Sequence, residues 1–237
     1  METTRSGGQR IAYEIHGEGP AVLLQHGFAS RRGTWRDNGF VAALAREFTV
    51  LAVDSLGHGD SDKPSAPARY RAEARADDLA AVLDARRIER ANLVGYSMGG
   101  WLAVAFAARH PARLRSLTIG GWDPVGGRAV ALPFETVLAG IRARAPQLAA
   151  WITPEAEPGL RASWDALADV AGAEATLAAC PAPLLLWVGR EDPAHAAMRA
   201  LAARLPHAVF RDVPGDHLAA MTTHAAESLA AVQSILR

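Results

Sequence analysis

An α/β chain built on a doubly wound, mostly parallel sheet is what this sequence predicts, and three observations carry the prediction. Short β-rich runs alternate with longer helical patterns along most of the chain. Most of those runs are continuously apolar, as expected for strands covered on both faces. The helical stretches repeat apolar residues at three- and four-residue spacing, which gathers them on one face for packing against a sheet.

Taken in order, the expected strands are Ile11–Ile15 and Ala21–Gln25, parted by the turn residues Gly17-Glu18-Gly19-Pro20. Phe48–Val53, Ala91–Tyr96, Leu114–Ile119, Leu184–Val188 and Ala208–Val213 follow. One helical stripe is Ala76, Leu79, Ala80 and Leu83; another is Met221, Ala225, Leu229, Val232 and Leu236. Met98–Arg109 is apolar nearly all round and reads as a helix buried in the middle of the protein. The alternation lapses once, from Asp123 to Ala179, where Ala-rich helical pattern is broken by Pro133, Pro146, Pro154 and Pro158. This reads as an insertion over about 123–160, a lid of two short helices, followed by a core helix Ser163–Ala179. Residues 1–237 are expected to form one domain around it.

Composition narrows the function. Half of the 237 residues are apolar, enough for a sizeable core without disulfide or metal. The formal net charge is zero and no polybasic or acidic run occurs, so nucleic acid and anionic membranes are not expected partners. Cys180 stands alone, which excludes an internal disulfide and suggests a half-buried structural thiol. Met1–Gly8 is polar and lacks the apolar stretch of a signal peptide, and no run of about eighteen apolar residues occurs. A cytoplasmic address is expected; the oligomeric state stays open.

The chemistry gathers at strand ends. Gly95-Tyr96-Ser97-Met98-Gly99 matches G-x-S-x-G, between the Ala91 strand and the Met98 helix. Such a serine sits on a sharp turn with its hydroxyl exposed, and the glycines allow close packing that a Cβ would block. His26-Gly27-Phe28 ends the Ala21–Gln25 strand. Two backbone N–H groups must face the oxyanion of an acyl transfer; Met98 and Phe28 are the candidates. His26 is expected to pack in its loop, and the Asp54–Ser61 loop, with His58, to be structural.

Gly189-Arg190-Glu191-Asp192-Pro193 closes the Leu184 strand, and Val213-Pro214-Gly215-Asp216-His217 closes the next. Ser97, Asp192 and His217 in that order, each at a strand end, suit a nucleophile, an orienting acid and a general base. Asp192 and His217 could instead cap the helices that follow them. Asp123, in Gly120-Gly121-Trp122-Asp123-Pro124, is a second candidate for the acid. Gly189 favours Asp192 by letting the chain turn sharply over the sheet edge. Trp35, Trp122, Phe134 and Trp151 are candidates for lining a substrate pocket, with Ile141 and Trp164 beside them; equally, these side chains could only pack.

With HGF, DSLGHGDS, GYSMGG, GREDP and PGDH in this order along nearly the whole chain, the sequence resembles the α/β-hydrolase superfamily, in its branch of small lid-bearing esterases, enol-lactonases and haloperoxidase-like perhydrolases. The resemblance implies about eight strands and a lid over the C-terminal strand edge. It assigns Ser97, Asp192 and His217 to a catalytic triad and Phe28 and Met98 to the oxyanion hole. The lid is shorter than is usual in that branch, and Ser97 excludes the haloalkane dehalogenases, which carry Asp at the elbow. The expected activity is hydrolysis of a small carboxylic ester or lactone with no cofactor and no metal. The alternatives are a lyase or perhydrolase on the same triad, and a ligand-binding receptor of this fold.

Overall fold

The computed structural model describes residues 1–127, 132–167 and 171–236. Its strands are β1 (Glu2–Ser6), β2 (Gln9–His16), β3 (Ala21–Gln25), β4 (Thr49–Val53), β5 (Ala91–Tyr96), β6 (Leu114–Gly120), β7 (Leu184–Gly189) and β8 (Ala208–Val213). They form one sheet in the order β1-β2-β4-β3-β5-β6-β7-β8. β1 and β2 are antiparallel to their neighbours; all pairings from β4 to β8 are parallel.

The helices are α1 (Gly33–Asp37), α2 (Phe40–Leu44), α3 (Ala72–Ala85), α4 (Met98–Arg109), α5 (Phe134–Arg144), α6 (Pro146–Ala149), α7 (Glu157–Asp165), α8 (Ala173–Ala179), α9 (His195–Arg204) and α10 (Ala225–Gln233). Strand alternation divides the core in two. Leu23, Leu51, Leu93, Leu117 and Leu186 pack with α3, α4, α8 and α9 on one face. Val22, Leu24, Val50, Leu185 and Trp187 pack with α1, α2 and α10 on the other. Every residue of β3, β5 and β7 is buried. At about 2 kcal/mol for each large apolar side chain removed from water, that burial explains why these strands read as unbroken apolar runs.

The structure departs from the expectations at five points. β1 was not legible, because Glu2-Thr3-Thr4-Arg5-Ser6 is an edge strand in which only Ser6 is buried; an edge strand needs no apolar face. Among the described residues the insertion holds three helices, because Pro146 opens α6 and Pro158 lies in the first turn of α7, where proline starts a helix as readily as it breaks one. α7 spans the expected lid boundary at 160. The single core helix Ser163–Ala179 is not formed: α7 ends at Asp165 and α8 begins after Gly172, which is left-handed at φ 69°. Residues 168–170 lie outside the described residues. The C-terminal stripe is likewise divided, with Met221 in a short 3-10 turn and Leu236 beyond α10. Cys180 is fully buried rather than half-buried.

No helix among the described residues is long and apolar enough to cross a membrane.

Candidate active site

Ser97 stands between β5 and α4 at φ 55°, ψ −118°, a strained conformation for a residue with a side chain. Close packing holds it there. A Cβ on Gly95 would lie 2.0 Å from the Gly99 carbonyl oxygen, and one on Gly99 would lie 2.0 Å from the carbonyl oxygen of Gln25 in β3. The G-x-S-x-G glycines are thus set by contact with neighbouring backbone, as the sequence suggested.

β7 and β8 deliver the other two groups. Ser97 Oγ lies 3.0 Å from His217 Nε2, and His217 Nδ1 lies 2.7 Å from Asp192 Oδ2. A carboxylate only accepts, so Nδ1 carries the proton and Nε2 turns its lone pair toward the serine. The other Asp192 oxygen accepts from the Ala194 N–H at 2.8 Å, so Asp192 orients the imidazole and caps the next turn at once. Its carboxylate is almost wholly buried, whereas the His217 side chain is 36% exposed. The chain turns sharply after Gly189, as expected, with the Asp192 N–H donating to the Gly189 carbonyl at 3.1 Å, and the glycine contributes a close approach as well. A Cβ there would meet the Gly215 carbonyl oxygen at 2.1 Å, so the glycine lets the loops carrying Asp192 and His217 touch.

Asp123, the second candidate acid, is turned onto its own loop. Its carboxylate accepts from the Val125 N–H at 3.0 Å, and its backbone bridges Gly127.

Gly27 lies beside the elbow: a Cβ on it would stand 3.2 Å from Ser97 Cβ. That places the Phe28 loop against Ser97. Among the described residues, the Phe28 and Met98 N–H groups donate to no protein acceptor. Beneath this loop, His26 receives the Ser55 N–H on Nε2 and donates from Nδ1 to the Gly27 carbonyl. Burial pulls its pKa down to about 4, and burial, with the Arg75 charge nearby, holds His58 well below the ordinary imidazole range. Both are neutral, buried groups that tie this loop together. Asp54 binds the Arg32 N–H and guanidinium and the Asp60 N–H, tying the Asp54–Ser61 loop to the chain after Phe28.

A cavity of about 420 Å³ opens over Ser97 and His217, and its wall is largely apolar. Trp35 and Trp122 line it, with Ile141, Trp164 and Leu167. Trp35 also packs on Phe40, so it is both wall and core. Phe134 and Trp151 do not line this cavity. Phe134 is buried in the apolar cluster of the insertion with Leu138 and Leu160, where an aromatic gains most from burial. Trp151 donates from its indole to the Ala29 carbonyl at 3.1 Å, which fixes its ring over the Phe28 loop near His58. Arg144 at the cavity wall pairs with Asp216 at 2.5 Å, joining the insertion to the His217 loop.

Two contributors escaped the sequence reading. Tyr96, the first x of G-x-S-x-G, donates from its hydroxyl to the His217 carbonyl at 2.7 Å and lays its ring 5.3 Å from the imidazole. Arg75 is wholly buried in α3; its place four residues before Leu79, on the apolar stripe, was the available signal. Among the described residues no group of His, Cys, Asp and Glu is spaced to hold a metal.

A mostly parallel eight-stranded sheet, with two antiparallel strands at one edge and the elbow on a central strand, is the α/β-hydrolase fold. Residues 20–136 match the family described as alpha/beta hydrolase fold, and the chain belongs to the α/β-hydrolase superfamily. A thermophilic esterase from Thermogutta terrifontis is 26% identical, with a TM-score of 0.80 over 98% of this chain and 95% of its own. The enol-lactonase of Burkholderia xenovorans LB400 shares the fold, with a TM-score of 0.82, at 24% identity over 99% of each chain. A putative carbamate hydrolase from Azorhizobium caulinodans is 37% identical over 128 residues, 54% of this chain and 47% of that protein. The matched stretch spans less than half the length of such curated relatives.

Proposed function

We propose that this chain is a hydrolase of small carboxylic esters or lactones, acting through an acyl-enzyme on Ser97. The observation that carries the reading is the unbroken hydrogen-bond chain from Ser97 through His217 to Asp192 at the wall of an apolar cavity. As Ser97 Oγ bonds to the substrate carbonyl carbon, its proton passes to His217 Nε2 and the carbonyl π electrons move onto oxygen. The N–H groups of Phe28 and Met98 receive that oxyanion, each worth about 3 kcal/mol of barrier. Collapse expels the alkoxide, which takes the proton from His217. Water then repeats the sequence and frees the acid. Asp192 holds the productive tautomer and stabilises the imidazolium.

Insertion helices α5 to α7 act in this reading as a lid on a single domain. Among the described residues the cavity wall is rich in tryptophan and aliphatic carbon, and the arginine on it, Arg144, is paired with Asp216. Uncharged acyl groups or lactones of small to medium size therefore suit it better than peptides or phosphate esters.

A panel of p-nitrophenyl esters and lactones, assayed with wild type and Ser97→Ala, tests the proposal. A fluorophosphonate should add once to the wild type, at Ser97, and not to the variant. An adduct mapped to another residue, or turnover surviving in Ser97→Ala, would remove Ser97 as the nucleophile.

A further inference from the structure

Behind the elbow lies a charge that the proposed cycle does not use. The Arg75 guanidinium is 1% exposed and, among the described residues, makes no ion pair with a carboxylate. Its Nη1 donates to Ser163 Oγ at 2.9 Å, and its Nη2 donates to Ser55 Oγ and lies 3.4 Å from Met98 Sδ. Trp101 and Tyr70 offer ring faces to it at 5.7 and 6.0 Å. Nε has no partner. Asp78, the carboxylate that acts on it electrostatically, is bonded instead to Arg69 at 3.0 Å.

A buried charge is costly unless paired, and polarisable groups with two hydroxyls compensate it only in part. Burial lowers the Arg75 pKa to about 10, which still leaves the group cationic at neutral pH. The neighbouring rings of His26 and His58 are held neutral, so they add no cation to this layer. One positive charge therefore sits in the low-dielectric interior, in contact with the side chain of the residue that follows Ser97.

We infer that Arg75 is a positioning residue for the oxyanion site, its guanidinium seating Met98 from behind and lending positive potential to the anion that forms beside the Met98 N–H. The inference rests on the acyl-transfer reading above. A fixed charge that favours the anionic intermediate over the neutral substrate raises kcat and leaves KM alone. Its low-dielectric setting prolongs its reach.

Benzeneboronic acid is the probe. Ser97 Oγ bonds to boron, the serine proton passes to His217, and boron becomes a tetrahedral anion. Arg75→Gln keeps polar reach to the two serines without the charge, and Arg75→Met keeps length and apolar fit; either can serve if the other fails to fold. Each should lower kcat and weaken boronate inhibition by a similar factor, about tenfold, with KM within about twofold. Arg75→Lys restores the charge and should recover most of both. Ser163→Ala, which cuts the tie to α7 and leaves the charge, should keep boronate affinity within about twofold. A folded Gln or Met variant with wild-type kcat and boronate affinity would overturn the inference. So would a Lys variant as impaired as Gln, or a loss confined to KM. A wild type that fluorophosphonate does not label would sink the acyl-transfer reading itself, and this inference with it.

Discussion

Asp192 and Asp123 each end an apolar strand and each precede a proline, so the residues around them barely separate the two. Distance does: Asp192 Oδ2 is 2.7 Å from His217 Nδ1, whereas the Asp123 carboxylate is engaged by the Val125 N–H of its own loop. Asp192→Asn should lower kcat by up to about four orders of magnitude, since an amide in that place favours the wrong imidazole tautomer. Asp123→Asn should change kcat by less than about tenfold, because no contact with the imidazole is lost. Steady-state kinetics on both variants, with folding checked by circular dichroism, decides between them; the reverse pattern would move the acid to Asp123. Tyr96 belongs to the same scale. Its hydroxyl holds the His217 backbone, so Tyr96→Phe should keep the fold and cost roughly 1 kcal/mol of stability from the lost hydrogen bond. Urea denaturation reads that loss, and an unchanged midpoint would argue that the bond contributes nothing.

At the scale of elements, α4 is seated tightly on the sheet. In an open helix, Gly→Ala gains about 1 kcal/mol from propensity. At Gly99 the added Cβ would lie 2.0 Å from the Gln25 carbonyl oxygen and 2.9 Å from that of His26, both strand-end backbone. Overpacking of about 3 kcal/mol outweighs the propensity gain. Gly99→Ala should therefore be destabilised in urea and slow to react with fluorophosphonate, as α4 is pushed off β3. A variant as stable as wild type would contradict that packing. The insertion is held differently. Arg142–Glu157 and Arg161–Glu135 are exposed pairs of the kind that contribute little in water, so the buried cluster of Phe134, Leu138 and Leu160 carries its stability.

For the whole molecule, the buried histidine layer sets a response to acid. His26 titrates near 4 in the fold, mainly because burial disfavours its charged form, and near 6.5 when unfolded. Between those values the unfolded chain binds the proton and the native chain does not. Stability from this group is complete above about pH 6.5, is lost as pH falls, and levels off below about pH 4. The shift corresponds to about 3 kcal/mol, and His58 acts in the same direction. Urea unfolding at pH 7, 5.5 and 4.5 should show the decline. Paired carboxylates such as Asp77 and Asp212 are held below their ordinary range, so their contribution is lost at lower pH. Constant stability between pH 6.5 and 4.5 would contradict a neutral His26.

The parallel core, the elbow and the order of the three site residues were legible in the chain alone. Each rests on a local demand: β3, β5 and β7 must be apolar on both faces, and Ser97 needs glycines two residues to either side. A polar edge strand makes no such demand, so β1 left no signal. Nor did Gly172, whose left-handed φ sets the start of α8. Which aspartate meets His217 emerged from the folded arrangement, because two strand ends with like residues differ in where the chain carries them. That arrangement alone took Phe134 and Trp151 away from the cavity, since an aromatic ring goes wherever neighbouring elements leave it an apolar bed or a carbonyl to bond. And it alone brought Arg75 from α3 against Met98 at the head of α4: a buried charge is tolerated only where partners from distant parts of the chain converge, and no local pattern records that convergence.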